Sequence, residues 1–105
     1  MQIDIRAKGF ELTDALREGV ERRVRIALAR VADRLDSVTV RIEARDSVSE
    51  GDARYACSLA MTPLRLRIEE EHDRLDTAID RAIDRASRLA TPLSIRNPPP
   101  PTDGP

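Results

Sequence analysis

Arg74, Arg81, Arg85 and Arg88 follow one another at steps of seven, four and three residues, which lines them along one side of a helix beside an apolar stripe. A guanidinium group is planar, permanently charged and forked, so a row of them suits bidentate recognition of phosphate oxygens. Asp76, Asp80 and Asp84 form a neighbouring row. Asp84 can pair with Arg88 one turn on, worth about 0.2–0.5 kcal/mol on an exposed helix. Like charges also stand four apart, Asp76 with Asp80 and Arg81 with Arg85, and a helix built only for its own stability would alternate the signs more often. A second set lies upstream, with Arg23, Arg30 and Arg34 near one edge of a helical pattern and Arg22 and Arg25 more exposed. If the two helices lie side by side, the rows border a shared groove. The candidate phosphate-contacting set is then Arg22, Arg23, Arg25, Arg30, Arg81, Arg85 and Arg88, acting as positioning contacts rather than readers of bases. The competing reading of the same charges is a solvated surface.

Other chemistries find little footing. His72 stands alone and Cys57 is the only cysteine, so neither a zinc site nor an internal disulfide is expected. Cys57 falls in a strand pattern and reads as packing. Glu69, Glu70 and Glu71 are adjacent and point in different directions on a strand, which argues against a metal cage. No nucleophile–base pairing or glycine-rich phosphate loop is present, so neither catalysis nor a cofactor is expected. With no Trp, one Tyr and one Phe, the chain also lacks the stacking platforms of single-strand RNA readers.

The net charge of −1 conceals an uneven distribution. Ten basic residues face eight acidic ones up to Arg45, four face nine from Asp46 to Asp80, and four face two beyond that. Every basic residue except Lys8 is arginine, a bias that phosphate recognition and a GC-rich genome would both produce. No signal-peptide pattern or long apolar run is present, and a reducing cytoplasm with no membrane partner is the expected setting.

The elements that must carry these arginines read clearly. Ile3 and Ile5 alternate with polar neighbours as in a half-buried strand, and Gly9 breaks the run. Thr13 is an N-cap, and Leu16, Val20, Val24, Ala27, Leu28, Val31 and Leu35 continue a helix of about 20 residues. Val38, Val40 and Ile42 point inward on a second strand, and the segment from Asp46 to Asp52 reads as a turn or loop. Tyr55, Cys57, Leu59 and Met61 line a third strand. Thr62 and Pro63 turn the chain into a fourth, with Leu64, Leu66 and Ile68 on one side and Arg65 and Arg67 on the other. Asp73 is the expected cap of the second helix, which Thr91 and Pro92 should end. The fold class is therefore α+β, a β-α-β-β-β-α two-layer sandwich with two helices on one face of a four-stranded mixed sheet. The first helix is the crossover, so strands one and two should be parallel and the rest antiparallel. Residues 1–91 make one domain, and the proline-rich tail 92–105 is expected to be extended and disordered. The uncovered sheet face would carry Arg6, Arg41, Arg54, Arg65 and Arg67, open to water, a partner or a second copy.

This order of elements, the opening IDIRAKGFELTDALREGVERRV and the run TAIDRAIDRASR resemble the ribosome hibernation promoting factor and ribosome-associated inhibitor family, in a short and divergent form. Ala78, Ile79 and Asp80 match its AID signature, and Asp84, Arg85 and Arg88 match the basic continuation that follows. The likeness covers about residues 2 to 90. It implies a stress-related translation regulator that contacts small-subunit rRNA and obstructs the space for tRNA or mRNA. Structured rRNA is recognised largely by shape, backbone and 2′-hydroxyls, so the shortage of aromatics is no obstacle. The alternative is a protein-interaction or homodimerising module on the same fold, using the uncovered sheet face and binding no RNA.

Overall fold

The computed structural model describes residues 1–46 and 53–96. Alternating apolar and polar residues produce four strands, β1 (Gln2–Lys8), β2 (Ser37–Asp46), β3 (Ala53–Thr62) and β4 (Leu66–His72). They pair in the order β1-β2-β3-β4. The β1–β2 pair is parallel, as a helical crossover requires, and the other two are antiparallel. Helices α1 (Asp14–Ala27) and α2 (Leu75–Arg96) complete the expected β-α-β-β-β-α order.

Parity along the strands decides the core. Val38, Val40, Ile42, Cys57, Leu59 and Met61 are at most 1 % exposed, on the sheet face that meets Val20, Val24, Ile79 and Ala82 of the helices. Burial pushes the Cys57 thiol up to about 12, which fits an inert packing role. Gly9 turns the chain after β1 at a φ of +87°, and a Cβ there would stand 2.9 Å from the Ala44 carbonyl oxygen. Both the left-handed torsion and the close approach demand glycine.

Several boundaries differ from the sequence expectation. Thr13 caps α1 as anticipated, its Oγ1 accepting from the Leu16 N–H at 3.1 Å. The single helix of about 20 residues, however, is two pieces: α1 stops at Ala27, and a 3₁₀ helix spans Ala29–Arg34. Steps of three and four residues between Leu28, Val31 and Leu35 serve a three-residue turn as well as an α turn, and all three side chains stay buried. Asp73 does not cap α2. The Arg74 carbonyl accepts the first helical bond from Ala78, the Asp76 carboxylate accepts from the Thr77 N–H, and Asp73 instead lies 2.8 Å from His72. Arg65 belongs to the turn after the cis Thr62–Pro63 bond, since its φ of 56° cannot continue an extended strand. Thr91 and Pro92 do not end α2, which continues to Arg96. A proline removes one helical hydrogen bond and crowds the carbonyl four residues back, which can kink a helix without ending it. Of the loop expected from Asp46 to Asp52, Asp46 ends β2 and residues 47–52 lie outside the described residues, as does the tail from residue 97.

Candidate nucleic-acid interface

Ala78, Ile79, Ala82, Ile83, Ala86 and Ala90 fix how α2 rolls on the sheet, because all six are at most 5 % exposed. With that stripe turned inward, the two charged rows fall on opposite flanks of the helix rather than side by side. The aspartate flank faces α1: Arg23 donates to Asp80 at 2.6 Å, and the Ser87 hydroxyl donates to the Ala27 carbonyl at 2.8 Å. The arginine flank faces β4, where Arg85 donates to Glu70 at 2.7 Å. The rows meet through the Arg88–Asp84 pair at 3.0 Å on the crest and through Arg74 and Asp76, 3.6 Å apart, at the start of the helix.

The helices run parallel, with Leu16 near Leu75 at one end and Ala27 near Ser87 at the other. One half of the groove between them is lined by Leu16, Gly19, Leu75, Asp76 and Ile79. The other is lined by Ile26, Ala27, Asp80, Ile83 and Asp84, and Arg23 borders both halves. The expected groove bordered by converging guanidinium groups is thus corrected: its floor is apolar, its α2 edge is acidic, and Arg23 is the candidate arginine in it. The roll that buries the alanines sends the aspartates toward α1 and the arginines toward Glu70.

The seven candidate arginines divide by partner. Arg23, Arg85 and Arg88 are paired as above, and Arg25 pairs with Glu21 at 3.2 Å. Arg22, Arg30 and Arg81 have no ion pair among the described residues, and all three are exposed. Arg22 and Arg25 flank a shallow depression with Glu18, Glu21 and Ile26 on the outer side of α1. The four pairs lie where water screens them, so each contributes roughly 0–1 kcal/mol and can exchange its carboxylate for another anion at little cost.

Pairing on the uncovered sheet face escaped the sequence. Arg45 donates to Glu43 at 2.6 Å and to Glu71 at 2.9 Å, and Arg54 donates to Glu71 at 2.7 Å. Glu43 and Glu71 both sit opposite Ala56 in the ladder, so the cluster roofs that residue to 4 % exposure. Hydrogen bonds from Arg45 hold the Glu43 carboxyl below its ordinary value, and those from Arg54 and Arg45 do the same for Glu71. Alternation puts these residues on the outward face; their pairing depends on a register across three strands that no local spacing reveals. Ile26 was also missed: it lies off the buried stripe and is 70 % exposed. Among the described residues, no group of three His, Cys, Asp or Glu side chains could hold a metal ion, and no helix is long and apolar enough to cross a membrane.

Comparison with known proteins falls on the same region. The family model described as Sigma 54 modulation protein / S30EA ribosomal protein matches residues 3–90. The Protein Y N-terminal domain of Thermus thermophilus is 29 % identical, with a TM-score of 0.55, over 92 % of this chain and 100 % of that one. A ribosomal subunit interface protein from Coxiella burnetii shares the fold at 17 % identity and a TM-score of 0.59, over 91 % of this chain and 97 % of that one. No curated protein matches the sequence significantly.

Proposed function

The chain belongs to the Sigma 54 modulation protein / S30EA ribosomal protein family, and on that premise we propose that it is a ribosome-binding regulator of translation of the hibernation type. The observation that carries this reading is the extent of the match: residues 3–90 take in all four strands but for Gln2, and both candidate arginine rows up to Arg88. In this reading the domain occupies space on the small subunit that tRNA or mRNA would use, and its action is obstruction rather than chemistry. Its partner is small-subunit rRNA.

The contact is a footprint across the crests of both helices, not an insertion into the groove between them, since that groove carries Asp76, Asp80 and Asp84. Arg22, Arg30 and Arg81, which hold no carboxylate among the described residues, bind phosphate oxygens directly. Arg23, Arg25, Arg85 and Arg88 reach the same backbone by exchanging their exposed carboxylate partners for phosphate. The paired residues therefore contribute less per side chain, because each exchange gives up an existing ion pair.

Co-sedimentation with purified small subunits over a series of salt concentrations tests the proposal. Each phosphate neutralised adds roughly 0.7–0.9 to the log–log salt slope, so R22A/R30A/R81A is expected to flatten it by about two units or more. A slope unchanged by this triple substitution overturns the assignment of these arginines, and absence of co-sedimentation by the unaltered protein overturns the function itself.

A further inference from the structure

Arg41 and Arg67 stand on the sheet face that the helices leave uncovered, each one outward position along its strand from the cluster that Glu43, Arg45, Glu69 and Glu71 form. Their outward placement follows from parity, because Val40, Ile42 and Ile68 beside them are buried. Arg41 lies across from Ser58, and Arg67 across from Ala60, which in turn lies across from Thr39. Small side chains therefore floor the space between the two guanidinium groups, and Glu69, across Ser58 from Arg41 and 3.6 Å from Arg45, borders it.

Among the described residues, neither Arg41 nor Arg67 has an ion pair or a side-chain hydrogen bond; Glu43 feels the charge of Arg41 only at longer range. Their neighbours differ. Arg6 is held by Asp4 at 2.8 Å, and Arg45 and Arg54 are consumed by the glutamate cluster. Moreover, Arg41 is the direct cross-strand partner of Arg6 in the parallel ladder, a juxtaposition of like charges that weakens a sheet by itself. An anion seated over these residues removes that repulsion. Strands lie about 4.8 Å apart and residues rise about 3.3 Å, so Arg67, two strands and two residues away, stands on the order of 12 Å from Arg41. Two charges at that spacing suit a polymer of anions better than one small anion.

We propose that this part of the uncovered sheet face is a second contact for the phosphodiester backbone of structured RNA, made by Arg41 and Arg67, so that RNA grips the domain from both faces. Among the described residues the outward positions of this face hold no large apolar side chain, which leaves a protein partner or a second copy without the buried anchor such interfaces need. Guanidinium groups over a floor of Thr39, Ser58 and Ala60 complement phosphate instead. The inference rests on the ribosome-binding reading for the presence of RNA, but not on the helix arginines.

The test uses the full chain with purified small ribosomal subunits across a potassium chloride series. R41Q/R67Q is expected to flatten the log–log slope by roughly 1.4–1.8, and R41K/R67K to restore it, because a point charge suffices for a phosphate contact. R41Q alone should melt no lower than the unaltered protein, since it relieves the repulsion from Arg6. An unchanged slope for R41Q/R67Q beside a flattened one for R22A/R30A/R81A overturns the second contact and leaves the proposed function standing. The reverse pattern supports the sheet contact and removes the helix assignment. A dimer in sedimentation equilibrium that R41Q/R67Q converts to monomer, with the salt slope unaltered, makes the face a self-association surface and also overturns the proposal.

Discussion

The two faces of the sheet are built from alternate residues of the same strands, yet different physics holds each. On the covered face Val40, Ile42, Leu59 and Met61 are sealed by the helices, and shape and apolar area decide what fits. On the uncovered face charge decides. Its residues sort themselves into a network around Glu71 and, one outward position along β2 and β4, two arginines with no ion pair among the described residues. A single strand thus carries positions where one methylene matters beside positions where only the sign of a charge does.

Neighbouring substitutions should separate the two regimes most widely. Leu59→Ala removes a side chain with no exposure and is expected to cost about 2–5 kcal/mol in urea unfolding, whereas Ser58→Ala beside it should stay within about 0.5 kcal/mol. Equal losses at both positions would break the comparison. Gly9→Ala comes next, at about 1–3 kcal/mol, because an alanine must adopt φ +87° with its Cβ against the Ala44 carbonyl. A melting temperature unchanged by this substitution would show that the turn relaxes.

The smallest effect concerns the charge network. Arg45 and Arg54 hold Glu43 and Glu71 below the ordinary carboxylate range, so these groups bind fewer protons in the folded chain than in the unfolded one near that range. Their contribution is present above the unfolded carboxylate value, about 4.3, and is lost as pH falls through the lower folded values. Arg45→Ala is expected to move both titrations upward in side-chain carbonyl NMR. It should lower the urea midpoint slightly at neutral pH, with the gap from the unaltered protein closing in acid. A gap that persists when the carboxyls are protonated would assign the effect to lost packing of the Arg45 stem over Ala56.

The same division explains what could be read in the sequence. Val38, Val40 and Ile42 announce β2 and its inward face because burial imposes a period of two, and Thr13 announces the start of α1 because orphan N–H groups need an acceptor. Both signals are local. The end of α1 was not legible, since Leu28, Val31 and Leu35 satisfy an α helix and a 3₁₀ turn alike. Nor was the orientation of the arginine rows: the wheel of α2 places Arg81 and Arg85 away from Asp76 and Asp80, but which flank meets α1 depends on how Ala78, Ala82 and Ala86 seat on the sheet. Ion pairs such as Arg23–Asp80 and Arg85–Glu70 join distant parts of the chain, and no spacing in one segment could supply them.

The parallel course of α1 and α2 has an electrical consequence. Each helix carries roughly half a positive charge at its N-terminus and half a negative charge at its C-terminus, and here the two vectors add instead of cancelling. Asp14 and Asp76, in the first turns, temper the positive pole, and Arg25 in the last turn of α1 tempers the negative one. The helical layer therefore has two unlike edges, one gathering both positive helix ends and the other both negative ends, each felt over about a turn of helix.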